Sequence, residues 1–183
     1  YVQAHMRILA AAYAVEVDYA FQNTLWANDT VTTGVDYDLS ADTTGASFLA
    51  AVWKAAAQVE DATGAPPEVI YVDTTTWDKI GDPAWTSFAA ANYPIQNVRG
   101  TFDATTMRVN CYGIPVVRAK EFATDETETA IVTNRLAVGW AQDGPRFANA
   151  EQAANLGRDV AIYGYGVGTP WIPAGIVSIY NVA

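Results

Sequence analysis

Two apolar rhythms divide this sequence of 183 residues, and their order limits the folds open to it. From Val2 to about Leu25, the residues Met6, Leu9, Tyr13, Val17 and Ala20 recur at the spacing of one helical face, and Ile8, Ala12, Val15 and Tyr19 widen that face into a broad arc. From Met107 onward the texture is that of strands. MRVNCYGIPVVRA, TAIVTNRLAVGWA, RDVAIYGYGV and GIVSIYNV are rich in Val, Ile, Tyr and Trp and are separated by Gly, Pro, Asp or Asn. Helices first and strands later predicts an α+β fold rather than a regular βαβ array.

The middle of the chain supplies one helix–strand step between these halves. Thr44 or Ser47 is placed to cap a helix whose stripe is Phe48, Leu49, Val52, Trp53 and Val59, and Gly64 with Pro66 and Pro67 stops it. EVIYV then reads as a buried strand, Thr75 and Thr76 precede WDKI as a short helix capped by them, and Pro83 opens a further helical pattern, PAWTSFAAAN. The polar stretch NDTVTTGVDYDLSADTTG has no period and reads as a connector. Neither a fixed-period repeat nor a low-complexity tract is present, which argues against solenoids and propellers.

Reactive chemistry finds little support in the residue types. Nucleophilic hydrolysis needs a base beside the nucleophile, and the one histidine, His5, falls inside the first helix with no GxSxG elbow anywhere in the chain. One Cys and one His do not make a zinc shell, and DYDLSAD, with Asp36, Asp38 and Asp42, lacks the central Gly and the terminal Glu of a calcium loop. GYGVG, Gly164 to Gly168, follows a strand as a phosphate loop would. TPWIPAG comes next instead of a helix, so these glycines read as a strand bend or crossover. The acidic run ATDETETA places Asp125, Glu126 and Glu128 between two strands without apolar neighbours to raise a carboxyl pKa, and reads as a solvated hairpin tip. No catalytic residue, cofactor or metal site is expected.

Composition enters through charge. Ten Lys+Arg against 20 Asp+Glu give a formal net charge of -10, which disfavours capture of nucleic acid phosphates by the surface as a whole. Cys111 is the one cysteine, so an internal disulfide is excluded and a reducing compartment is compatible. No apolar run reaches the roughly 20 residues that span a bilayer. The opening YVQAHMRILAAAYAVEVDYAF carries acids and no charged leader, and reads as a helix rather than a secretion signal. Because the chain opens at Tyr1 inside that helical pattern, a preceding segment is expected in the full protein.

The order of these elements resembles the major capsid proteins of tailed double-stranded DNA phages. The stretches that carry the resemblance are RILAAAYAVEVDYAFQNTLW, GASFLAAVWKAAAQVEDATGAPPEVIYVDTTTWDKI, the strands NCYGIPVVRAKEF and TAIVTNRLAVGW, and the closing FANAEQAANLGRDVAIYGYGVGTPWIPAGIVSI. The resemblance implies the HK97-like capsid fold: a spine helix, peripheral-domain strands and a mixed α/β axial domain. Residues 1–33 and 134–166 would form the peripheral domain, and residues 34–133 and 167–183 the axial domain. It further implies a structural, non-enzymatic protein whose partners are copies of itself, in hexamers and pentamers that close into an icosahedral shell. Such a shell encloses double-stranded DNA without specific binding, and meets scaffolding, portal or decoration proteins. The location implied is the virion, with host cytoplasm during assembly, and Asp125, Glu126 and Glu128 become candidates for a subunit interface. The family's N-terminal arm and extended loop are not in this chain.

Two other readings fit parts of the sequence. An encapsulin-like nanocompartment shell would share the fold and carry protein cargo. A carbohydrate-binding or hydrolytic domain would use the six Trp with carboxylates, and predicts Trp85 or Trp171 exposed in a cleft. Trp53, Trp77, Trp140, Tyr163 and Tyr180 are better explained as core or interface filling.

Overall fold

The computed structural model describes residues 2–27, 35–82, 85, 100–103, 108–119, 128–152 and 157–181. Helix α1 runs over Val2–Ala27, α2 over Ala46–Thr63 and α3 over Thr74–Ile80. The strands are β1 Val35–Tyr37, β2 Val69–Val72, β3 Gly100–Asp103, β4 Arg108–Cys111, β5 Ile114–Arg118, β6 Glu128–Thr133, β7 Val138–Gln152, β8 Gly157–Pro170 and β9 Val177–Asn181. Seven of them form a mixed sheet in the order β1-β9-β6-β2-β5-β4-β3, while β7 and β8 pair only with each other. The fold is mixed α/β, with short strands β1 and β3 that the strand texture of the sequence did not announce.

Both faces of the sheet are covered, and the period of two along its strands explains how. Ile70, Val72, Ala130 and Val132 point to the face where α2 lies and share a core with Phe48, Leu49, Val52 and Val59. Each large apolar side chain fully buried there contributes about 1.5–3 kcal/mol. Tyr71 and Ile131, one residue out of phase, point to the opposite face, where Phe21, Leu25 and Trp26 at the end of α1 meet Ile176 and Val138. The sheet is therefore sandwiched, with α2 on one side and the last turns of α1 on the other.

The helix ends correct two sequence expectations. Neither Thr44 nor Ser47 caps α2; its N-cap is Gly45, and buried Asp42 accepts from the backbone N–H groups of Gly45 (2.8 Å) and Phe48 (2.9 Å). Asp73, not Thr75 or Thr76, caps α3, accepting from Thr76 N–H at 2.8 Å and Thr75 N–H at 3.2 Å. A carboxylate outcompetes a hydroxyl at a cap because both its oxygens accept and its charge suits the helix N-terminus. Gly64 does end α2, at φ 71°, its N–H bonding Glu60 O at 2.8 Å. The helical pattern from Pro83 lies, apart from Trp85, outside the described residues.

The junction between sheet and ribbon rests on Asn134. Its side-chain amide donates to Thr63 Oγ1 (2.8 Å) and Ala65 O (3.1 Å), while its carbonyl oxygen accepts from Leu136 and Ala137 N–H, both at 3.1 Å. One buried amide thus fixes where β7 leaves the sheet relative to the end of α2. Strand β8 is continuous to Pro170, so residues 166 and 167 sit within one strand.

Candidate assembly surface

Helix α1 lies along the ribbon of β7 and β8, and glycines set how close it comes: two directly, and a third by making room for the Trp140 indole that lies between them. A Cβ on Gly164 would overlap the Tyr13 hydroxyl, one on Gly166 the Trp140 indole, and one on Gly168 the Thr24 side chain. Residues 164, 166 and 168 share a face of β8, so GYGVG is a groove for the helix rather than a bend or a phosphate loop. Tyr13 meets the ribbon at Gly164 and Thr24 at Gly168, so α1 and β8 run in the same direction. Two further ties hold the pair: Gln142 Nε2 donates to Tyr13 Oη at 2.8 Å, and Phe21 meets Trp140 edge-on at 5.8 Å.

This docking uses one of the two apolar stripes of α1. Met6, Leu9, Tyr13 and Val17 are half-buried, whereas Ile8 (67% exposed), Val15 and Tyr19 remain open. The ribbon is likewise covered on one side only. Tyr163, Tyr165 and Val167 alternate with the glycines and so occupy the outer face; all three are exposed, and Tyr165 at 69% is the most exposed large apolar side chain among the described residues. Cross-strand from Tyr165 and Tyr163 stand Asp143 and Arg146, which pair with each other at 2.5 Å.

A second open surface lies on the far side of α2. The turn from β4 to β5 places Tyr112 and Gly113 at φ 53° and 83°, the left-handed pair of a two-residue hairpin, and so brings the Tyr112 ring to 5.1 Å from Trp53. These rings, with Pro66, Pro67 and Ile114, wall a groove of about 220 Å³ that Glu60 also lines. Beyond Trp53 it opens into a shallower depression beside Lys54. Trp53 is 62% exposed, so it is not core filling within the chain.

The remaining candidates fall in separate places. Asp125 and Glu126 lie outside the described residues, and Glu128 opens β6 opposite Tyr180. The hairpin reading of that acidic run is corrected: β5 and β6 are not neighbours but flank β2. Asp36 is in β1, Asp38 accepts from Ser40 and Ala41 in a local turn, and Asp42 caps α2, so DYDLSAD is a strand and a cap rather than a plain connector. Hydrogen bonds from Ser40 and Ala41 hold the Asp38 carboxyl below its ordinary pKa. No cluster able to hold a metal ion occurs among the described residues, and no helix there is long and apolar enough to cross a membrane. Cys111 is buried in the core, which pushes its thiol pKa up. Trp85 is buried with its indole N–H on Asp42 O at 3.1 Å, which takes it out of any sugar cleft, whereas Trp171 is exposed and stacked over Gly139.

A 26-residue helix laid along a separate two-stranded ribbon, beside a mixed sheet, has counterparts among solved structures. A chain from Mycobacterium phage Che8 matches over 98% of this chain with a TM-score of 0.67 at 15% sequence identity. The chain has the fold of a mycobacteriophage protein. A second match, from Mycobacterium phage Ogopogo, covers 97% of this chain and 68% of that one with a TM-score of 0.52 at 14% identity. This chain spans 63% of the length of its Che8 counterpart. The sequence matches no family model and no curated protein. At these identities the likeness is one of fold.

Proposed function

We propose that this chain is a capsid-type shell subunit: a major capsid protein of the HK97-like fold that self-assembles into hexamers and pentamers and then an icosahedral shell around phage DNA. The observation that carries this reading is the open apolar surface of α1 and the ribbon, on a fold shared with a mycobacteriophage protein. An isolated two-stranded ribbon is marginal in water, and contiguous exposed apolar side chains on a rigid frame mark surfaces that other molecules cover. Contacts between unlike patches of identical subunits generate rings and lattices.

In this reading residues 1–33 and 134–166 serve as the peripheral domain and residues 34–133 and 167–183 as the axial domain. The role is structural rather than enzymatic, and Asp125, Glu126 and Glu128 face Lys or Arg of a neighbouring subunit. The net charge of -10 suits a wall that encloses DNA without gripping it. Sedimentation and electron microscopy of the purified full-length protein test the proposal. Large particles of uniform size are the expected outcome, and a monomer that persists at high concentration overturns it.

A further inference from the structure

Two of the open surfaces described above match each other. The groove beside α2 is an apolar slot with the Trp53 and Tyr112 rings on its wall and the Glu60 carboxylate in its lining, and the Lys54 ammonium lines the depression that adjoins it across those rings. The outer face of the ribbon carries Tyr165, the most exposed aromatic side chain among the described residues, with Asp143 directly across from it and Arg146 further along the same strand, across from Tyr163. Lys54 and Glu60 are six residues apart on a helix, about 9 Å along its axis, a separation that Asp143 and Arg146 can span with their side chains extended. Each surface therefore sets exposed aromatic rings beside one acid and one base, as the centre and rim of protein interfaces do.

We propose that the Trp53–Tyr112 groove of one subunit receives the Tyr165 face of the ribbon of a second copy, with Arg146 on Glu60 and Asp143 on Lys54. The inference rests on the shell reading above and names one of its contacts. The two patches differ, so the contact is head-to-tail and each subunit offers both halves, which propagates into a ring rather than stopping at a dimer. The Asp143–Arg146 pair, exposed in the single chain, exchanges partners on docking, and the net count of ion pairs rises by one. Tyr165 in turn gains ring contacts of the kind that dominate interface energetics.

The test uses the full-length protein and reads both association and proximity. Trp53→Ala and Tyr165→Ala, both at exposed positions, are expected to weaken association about thirtyfold by sedimentation with the circular dichroism spectrum unchanged. Glu60→Arg and Arg146→Glu alone are each expected to weaken it about tenfold, and the two together to restore most of the loss. Glu60→Cys and Arg146→Cys in one chain are expected to give a ladder of covalently linked oligomers with a short bis-maleimide cross-linker, because two side chains of that length hold the backbones too far apart for a direct disulfide, with buried Cys111 silent. Particles that form normally in all four single variants, with no ladder from the cysteine pair, overturn this contact and leave the shell reading intact. A wild-type protein that never associates overturns both.

Discussion

Asp42 shows how much one side chain can decide. Its carboxylate is buried, accepts from Gly45 and Phe48 N–H, and receives the Tyr37 hydroxyl at 3.2 Å, so one residue joins β1 to the start of α2. Asp42→Ala leaves those donors unpaired and is expected to cost about 3 kcal/mol, read as a lowered midpoint in urea. Alkaline pH acts on a different set. Burial raises the pKa of Cys111 above 9.0; burial and the neighbouring Asp42 raise that of Tyr37 above 10.0; burial, with Asp18 nearby, raises that of Tyr71. These groups keep their protons in the folded chain after the unfolded chain has lost them, so the folded state binds more protons and stability falls as pH rises. Denaturation midpoints should hold steady below about pH 9 and decline above it, first through Cys111 and then the tyrosines. A Cys111→Ala variant should begin its decline nearer pH 10, and one that declines with wild type contradicts the assignment.

At the scale of elements, the fit of α1 to the ribbon depends on what Gly164 and Gly168 lack. Gly164→Val would force a side chain into the Tyr13 hydroxyl and against the backbone carbonyl of Asp143, so that Tyr13 must swing off the ribbon and give up its bond from Gln142. A loss of about 2–3 kcal/mol is expected in thermal melts, with a changed Trp140 environment in fluorescence. Gly113→Val, at a position with open space around it but φ 83°, tests a different cause, since its cost comes from the backbone alone. The Asn134 clamp belongs to this scale too, because it sets the direction in which the ribbon leaves the sheet.

For the whole molecule, surface charge and open apolar faces set what it meets. With a net charge of -10, duplex DNA should bind no tighter than about 1 μM at physiological salt, as a fluorescence-anisotropy titration would show. A tight complex whose affinity drops steeply with salt would contradict a wall that merely encloses its contents. Association between copies, by contrast, should depend on the apolar outer faces and survive moderate salt, because burial of Tyr and Val side chains is not screened.

The sequence by itself determined the local pieces of this fold. The span of α1, the stop of α2 at Gly64, the strand at EVIYV and the strand-rich C-terminal half follow from periodicity and from Gly and Pro, whose effects act within a few residues. The order of those pieces was also enough to suggest a phage capsid resemblance, and the fold likeness to a mycobacteriophage protein agrees with it at that level. Tertiary structure alone decided what the pieces face. Nothing in α1 distinguishes the stripe of Tyr13 and Val17, which docks, from that of Ile8, Val15 and Tyr19, which stays open. The choice is made by glycines some 150 residues away. Caps at Asp42 and Asp73, the strand β2 between β5 and β6, and the meeting of Trp53 with Tyr112 were hidden for the same reason. Each depends on groups brought together by packing, and packing joins residues whose distance along the chain carries no signal of their distance in space.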